Sequence, residues 1–172
     1  MRPLIFFAIC LAAILSAGCA GYHLGPVNPN VVAGEKSIEI APFNNQTLQP
    51  RLGDAVTQAL RERMQTDGTY RLATRGPGDV VVTGVITAYT REGVGFLRSD
   101  VATAVNYRVG LTAHVKAVDR ASGKVLLDKN DVHGYTLVQV GTDLTDAERQ
   151  SLPLLAEDLA RNIAELLTEG AW

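Results

Sequence analysis

The sequence predicts an α+β two-layer sandwich, in which two helices pack on one face of a mainly antiparallel or mixed sheet. Two segments repeat apolar residues at the spacing of an amphipathic helix, and several others alternate apolar and polar residues as strands do. The predicted order is β-α-β-β-β-β-α at most. Helices with one apolar stripe each and a sheet with one apolar face can bury each other as two layers.

The chain begins with a segment typical of a bacterial lipoprotein precursor. Met1-Arg2 supplies a positive charge, and Leu4–Leu15 is a continuous apolar stretch, too short to span a bilayer. Small residues at 16–18 then precede Cys19. We therefore expect residues 1–18 to be cleaved as a signal peptide and Cys19 to carry N-acyl and S-diacylglycerol lipid. The alternative is an ordinary secretory signal with a coincidental cysteine.

Lipidation would account for both cysteines, since Cys10 leaves with the signal peptide. No disulfide, cysteine metal ligand or other cofactor is expected. Ala20 replaces the aspartate that commonly retains lipoproteins in the inner membrane, which favours a periplasm-facing site on the outer membrane. Without Arg2, 15 basic residues face 18 acidic ones, a net charge of −3. No basic run points to nucleic acid.

Residues 19–36 are predicted to be the lipidated N-terminus and an extended linker, and residues 37–172 a single domain. Ser37–Phe43 alternates as a first strand, and Asn44–Thr47 is rich in turn formers. Pro50 suits the first residue of a helix that Gly68 ends. The apolar stripe of this helix contains Leu52, Val56, Ala59 or Leu60, and Met64.

Four strands and a second helix are predicted to follow. The strands fall within 70–74, 79–90, 102–118 and 124–138, the last with a bulge or break at Asp128–Asp131. Thr145 and Glu148 have the spacing of a capping box, and Pro153 is expected to kink or restart the helix. Its apolar stripe is Leu155, Leu159, Ile163 and Leu166.

No arrangement of residues points to catalysis or to a metal. The histidines His23, His114 and His133 form no H-E-x-x-H motif, and no serine lies in a G-x-S-x-G turn. His114 follows the polar side of a strand, where a solvated or surface-paired histidine is expected. The chain is therefore predicted not to be an enzyme.

One predicted loop and a set of cations are the candidate contact residues. Arg91–Ser99 is expected to join two long strands and to present Phe96 and Leu97 beside arginines. These two side chains either contact lipid or protein or fold back onto the domain. Arg108 and Lys116 are predicted to lie on the polar face of the strand 102–118. With Lys124 and Lys129 nearby, they form either a cationic surface or ordinary solvated charges.

Three segments resemble the LptE family of lipopolysaccharide-assembly lipoproteins. Gly21-Tyr22-His23-Leu24 is similar to the family's start after its lipidated cysteine, with Ala20 inserted. Ile38–Thr47 resembles its strand and P-F-x-N-x-T turn. The segments 79–89, 107–118 and 122–126 resemble its central hairpin. The P-F-x-N-x-T and D-x-x-x-x-G pieces also occur in peptidoglycan-synthase activators and in the curli-secretion family.

The resemblance implies two helices on a four-stranded sheet, inside the lumen of the outer-membrane β-barrel LptD. There the family plugs the barrel, helps it to assemble and contacts lipopolysaccharide. Within this hypothesis we predict that lipopolysaccharide phosphates are contacted by Arg91, Arg98, Lys124 and Lys129. The alternatives are an outer-membrane lipoprotein that regulates a peptidoglycan synthase and an auxiliary lipoprotein of a lipid-transporting ABC system.

Overall fold

Six strands and two helices make up the part of the chain that the computed structural model describes, residues 36–97, 100–139 and 144–169. In chain order they are β1 (Ser37–Ile40), β2 (Asn44–Asn45), α1 (Leu52–Asp67), β3 (Arg71–Leu72), β4 (Val80–Leu97), β5 (Asp100–Asp119), β6 (Val125–Gln139) and α2 (Leu144–Glu169).

All six strands belong to one mixed sheet, in the order β3-β1-β4-β5-β6, with β2 also pairing with β4. β1 runs parallel to both its neighbours, whereas β4, β5 and β6 form an antiparallel meander. The predicted α+β two-layer class is confirmed. The expected four-stranded sheet is wrong: the sheet has six strands, of which five correspond to predicted strands, and the sixth, β2, has two residues and is too short for a periodic pattern to show.

The core lies between the helices and one face of the sheet. Alternate residues of β5, from Val109 to Ala117, are buried, as their alternation predicts. The α1 stripe is also buried as predicted. In α2, Leu167 takes the fully buried position expected for Leu166, which is only partly buried. The buried stripes are Leu52, Val56, Leu60 and Met64 of α1, and Leu155, Leu159, Ile163 and Leu167 of α2.

The predicted loop Arg91–Ser99 is largely strand. Arg91–Leu97 continues β4 and stays paired with β5. Gly93 and Gly95 lie at register shifts in this ladder, so these glycines accommodate irregular pairing and do not end the strand. Arg98 and Ser99 lie outside the described residues.

Both helices begin elsewhere than predicted. α1 starts at Leu52, not Pro50, because its N-cap Arg51 adopts a left-handed conformation with φ 65°. α2 starts at Leu144, which places Thr145 inside the first turn, and the helix continues through Pro153 without a restart. The predicted end of α1 is confirmed, since Gly68 has φ 75° and its N–H bonds to Met64.

Single-residue irregularities change which side chains face the helices. In β6 the predicted bulge is confirmed: Lys129 pairs with Val115 but Val132 pairs with Ala113, and Asp131 has φ 59°. In β4 the register shifts between Ile86 and Ala88. Because successive strand residues point to opposite faces, each shift exchanges the two faces for the residues beyond it.

The buried Phe43, between β1 and β2, contacts both β4 and α1. The buried Phe43 ring lies over Gly84, where an added Cβ would come within 2.1 Å of the ring. The Phe43 N–H donates to Thr57 Oγ1 at 2.9 Å, and this hydroxyl donates to Gly53 O at 2.6 Å. Phe43 therefore connects the chain that follows β1 to β4 and to α1.

Candidate functional site

The face of the sheet opposite the helices is here called the open face. It is defined by the alternate β5 residues Arg108, Gly110, Thr112, His114 and Lys116 and by their neighbours on β4 and β6. The described helices pack on the other face, so these residues stay exposed or partly exposed. A surface that no described element covers is available for a partner or ligand.

In the half of the open face near the β5–β6 turn, the charged side chains form ion pairs with one another. His114 Nε2 lies 2.6 Å from Asp128 Oδ1, and Lys116 Nζ lies 3.8 Å from Asp128 Oδ2. The bond to His114, with the charges of His114 and Lys116, lowers the pKa of Asp128. Thr112 Oγ1 lies 3.1 Å from His133 Nδ1. His114 is thus a surface-paired histidine, as predicted.

The other half of the open face combines one cation with exposed apolar groups. The Arg108 guanidinium lies over the Tyr135 ring, 5.8 Å from its centroid. Tyr135 is 59% exposed, and Leu137, directly opposite Arg108 in the β5–β6 ladder, is 64% exposed. The part of the chain that the structure describes offers no ion-pair partner to Arg108.

Tyr135 and Leu137 were not singled out by the sequence. In β6 they look like ordinary strand residues, and only the phase change at the bulge places them on the open face. The irregular composition of Asp128–Asp131 predicts the bulge itself. It does not show whether the bulge inserts one residue or two, and this number decides which face of the sheet the following side chains occupy.

The predicted cations do not form one group. Arg91 points to the helix side, where its Nη1 lies 2.7 Å from Glu148 Oε1, and this bond raises the pKa of Arg91. Arg91 pairs with Val109, whereas Lys129 pairs with Val115, six residues further along β5. That separation is about 20 Å.

The remaining predicted site residues lie at the two ends of the sheet or beyond the described ranges. Lys124 is exposed next to the β5–β6 turn, where its N–H donates to Ser122 Oγ at 3.3 Å. Phe96 and Leu97 belong to β4. Cys19 and Arg98 lie outside the described residues.

Near Arg91 and the Glu148 carboxylate of α2, a tyrosine hydroxyl is buried. Tyr89 Oη is buried and has no hydrogen-bond partner among the described residues. Burial and the nearby Glu148 carboxylate raise the pKa of Tyr89, against the opposing effect of Arg91. The Arg91–Glu148 pair and Tyr89 therefore belong to the contact between β4 and α2.

A hydrogen-bonded cluster, here called the tether-end lock, joins the start of β1 to the start of β4, next to the end of the predicted linker. Asp79 Oδ2 accepts from Ser37 N at 2.8 Å and from Ser37 Oγ at 2.7 Å. These bonds lower the pKa of Asp79. Glu39 accepts from Arg120 and, at 3.1 Å, from Gly78 N.

The described residues show neither a metal centre nor a spanning helix. Within 36–97, 100–139 and 144–169, no three His, Cys, Asp or Glu side chains converge as metal ligands. Neither helix in these ranges combines the length and apolar character needed to cross a bilayer. A groove of about 490 Å³ along α1 and α2 is lined by polar and apolar groups alike, among them Glu62, Arg161 and Leu154.

A family model described as "LptE: Lipopolysaccharide-assembly" matches residues 35–167, which include all six strands and most of α2. The chain belongs to the LptE family. This confirms the resemblance predicted from the sequence. A search of curated proteins finds no match to the chain.

Several solved structures share the fold at low sequence identity. XCC0632 from Xanthomonas campestris is 8% identical with a TM-score of 0.59, covering 85% of this chain and 90% of its own. CT253 from Chlamydia trachomatis is 11% identical with a TM-score of 0.55, covering 78% and 96%. A minor lipoprotein from Acinetobacter baumannii is 14% identical with a TM-score of 0.52, covering 78% and 93%. These likenesses support the fold of this LptE-family chain.

Proposed function

We propose that this LptE-family protein is a non-catalytic outer-membrane lipoprotein that plugs the LptD β-barrel, assists its assembly and contacts lipopolysaccharide during delivery to the outer leaflet. The observation that carries the proposal is the family match over residues 35–167. The match extends over the sheet and both helices, so it concerns the whole described domain and not an isolated motif.

The N-terminal sequence supports the location. Small residues before Cys19, after a short apolar segment, suit lipid attachment, and the residues up to 36 then supply a linker to β1. More than one acyl chain on a cysteine holds a protein at a membrane far more firmly than a single chain does. The domain would therefore be delivered to the periplasmic side of the outer membrane, facing its partner.

The surface of the domain supports a role through contacts. A barrel lumen is polar, and the open face offers a mixture of charges, hydroxyls and exposed apolar groups. We include Arg91, Arg98, Lys124 and Lys129 in the proposed lipopolysaccharide contact. Since Arg91 already pairs with Glu148, the exposed Lys124 and Lys129 are the better donors among the described members of this set.

The experiment that tests this function is capture of the full-length lipoprotein from detergent-solubilised envelopes after crosslinking. We expect a large β-barrel, LptD, as the principal partner, and raised outer-membrane permeability on depletion. A Cys19→Ser variant is the control, because it keeps the domain and loses the proposed anchor. A peptidoglycan synthase or an ABC transporter as the principal partner, with no LptD captured, would refute the proposal.

A further inference from the structure

Strands β4 and β6 both have an outer edge, and α2 covers the middle of only one of them. On β6, Asp158 Oδ2 accepts from the Tyr135 N–H at 3.0 Å, and Asn162 Nδ2 donates to His133 O at 2.7 Å. Proteins commonly cover strand edges, because uncovered N–H and C=O groups can pair with a strand of another chain. The middle of the β6 edge is therefore protected.

The uncovered edge belongs to the second half of β4. On the side away from β5, β4 pairs with β1 at residues 80–82 and with β2 at residues 85–86. The Gln46 N–H donates to Ile86 O at 3.0 Å, and no described strand lies beside β4 beyond that bond. Tyr89–Gly93 continues in regular pairing with β5. These five residues therefore form an unpaired edge about 15 Å long.

The register shows which backbone groups point outward from this edge. Tyr135 donates its N–H away from β5, so Gly110, opposite it, directs its own N–H and C=O toward Thr90 on β4. The backbone of Thr90 therefore bonds to β5, and the residues before and after it point their N–H and C=O groups outward. These outward groups have no hydrogen-bond partner among the described residues. The outward residues of the edge are Tyr89, Arg91 and Gly93.

A hydrogen-bonded loop stands at the start of this edge. Asn45 Oδ1 accepts from the Thr47 N–H at 3.0 Å and from its hydroxyl at 2.8 Å, and Asn45 Nδ2 donates to Gln49 O at 2.7 Å. Leu48 is fully exposed at the tip of this loop. A cleft of about 430 Å³ separates the loop from Thr87–Tyr89, where a strand that followed the line of β2 would lie. The cleft therefore leaves room for an added strand beside an exposed leucine.

The chemistry of this edge selects an extended segment of another protein. A row of outward N–H and C=O groups is satisfied by a strand, whereas a helix bonds its own backbone groups internally. A second copy of this chain fits poorly. The two-fold pairing that uses all three outward residues places Arg91 opposite Arg91 of the copy, and like charges directly opposite each other destabilise a sheet. Leu48 favours a segment with an apolar side chain at that point.

We propose that the edge Tyr89–Gly93 binds an extended segment of the barrel partner as an additional strand of the sheet, and that Leu48 packs on an apolar side chain of that segment. The inference rests on the proposed function, which supplies a β-barrel partner. The strands of such a barrel are joined by loops, long ones on one side, so extended segments are available to pair. Main-chain hydrogen bonds would then join the domain to its partner.

Amide hydrogen exchange at single-residue resolution tests this pairing in the full-length lipoprotein, alone and in complex with LptD in detergent. In the lipoprotein alone, the N–H groups of Tyr89, Arg91 and Gly93 should exchange fast, and that of Thr90, bonded to β5, slowly. In the complex the three outward N–H groups should exchange at least about tenfold more slowly. The Leu137 N–H, which points outward from β6, is the control and should not change. Protection of alternate residues distinguishes an added strand from general burial.

Variants measure how much the edge contributes to binding. Each tagged variant competes with the untagged, unmodified protein for LptD from solubilised envelopes. Gly93→Pro removes one outward N–H and no side chain, and it should lower the captured share of LptD roughly tenfold, the effect of about one net hydrogen bond. Leu48→Ser should also lower it. The matched controls are Leu137→Pro, at an outward position of β6, and Leu154→Ser, at an exposed leucine of α2, and both should compete as the unmodified protein does.

Thermal unfolding of each variant shows that it folds, and the exchange measurement needs no variant. Fast exchange of the outward N–H groups in the complex, or full capture of LptD by Gly93→Pro and Leu48→Ser, would reject this site. Slow exchange in the lipoprotein alone would also reject it, because the edge would then be occupied by residues 19–35 or, if dilution restores fast exchange, by a second copy. In these cases LptD captured by the unmodified protein leaves the proposed function standing. No capture of LptD would refute the proposed function itself.

Discussion

The two faces of the same sheet differ in what their side chains contact. On β5, Val109, Leu111 and Val115 are buried beneath the helices, whereas Arg108 and Lys116, one residue away from them, lie on the open face. The covered face stabilises the fold because its apolar side chains are removed from water. The open face contributes less to folding, which leaves its residues available for recognition. Making the same substitution at the same residue type on each face can test this difference between the two faces.

The largest expected difference in stability is between two leucines, one buried between α2 and the sheet and one exposed on the open face. Leu159 of α2 is fully buried against β6, whereas Leu137 is 64% exposed on the open face. Leu159→Ala should lower the free energy of unfolding by about 2–5 kcal/mol, since it deletes core volume. Leu137→Ala should change it by about 0.5 kcal/mol or less. Urea titration followed by circular dichroism measures both. Equal destabilisation by the two substitutions would show that the open face is covered by another part of the chain, and the division into two faces would then fail.

The alternation on β5 and the stripe on α1 could be predicted because each is a long, uninterrupted repeat. The faces of β4 and β6 could not. A register shift after Ile86 places Arg91 on the helix side, against Glu148, although the sequence suggested a solvent-exposed loop cation. The bulge in β6 likewise moves Tyr135 and Leu137 to the open face. A periodic pattern indicates a strand, but it does not reveal which face of the sheet each side chain occupies beyond a bulge.

The candidate site was partly visible in the sequence. Arg108 and Lys116 were both placed on the polar side of β5, and the structure confirms that placement. The sequence could not distinguish them, because the partner that neutralises Lys116, Asp128, comes from β6 through long-range pairing. The difference between a paired and an unpaired cation depends on tertiary contacts that no local pattern encodes.

A second, smaller effect separates two glycines that lie on different faces. At Gly84 an added Cβ would meet the buried Phe43 ring at 2.1 Å, and at Gly110 it would meet the Thr90 hydroxyl at 2.8 Å. Gly84→Ala should therefore destabilise the protein by about 1–3 kcal/mol, because a packed ring cannot move freely. Gly110→Ala should have a much smaller effect, since an exposed threonine can change rotamer.

Denaturation midpoints of the two glycine variants test this difference. A Phe43→Leu background should reduce the cost of Gly84→Ala, because the shorter side chain leaves room for the new methyl group, and this coupling identifies the contact. Equal costs at Gly84 and Gly110, or no coupling to Phe43, would contradict the packing described for the covered face.

The smallest expected effect concerns the tether-end lock, which belongs to neither face. Its hydrogen bonds from Ser37 lower the pKa of Asp79, so the ionised carboxylate stabilises the fold above the pKa of the unfolded chain. That contribution is lost as the pH falls through the lower pKa of the folded state. Asp79→Asn should therefore be less stable than the unmodified protein at neutral pH, and the difference should shrink under acidic conditions.

Urea titrations at several pH values between neutral and about 3, near the ordinary pKa of aspartate, measure this dependence. Glu157→Gln is the control, because Glu157 is exposed on α2 and has no hydrogen-bond or ion-pair partner among the described residues. Its difference from the unmodified protein should stay small at every pH. Since Ser37 does not titrate in this range, a pH-dependent difference for Asp79→Asn reports the Asp79 carboxylate itself. If the difference in unfolding free energy is the same at every pH, the charge of the Asp79 carboxylate is not what stabilises the fold.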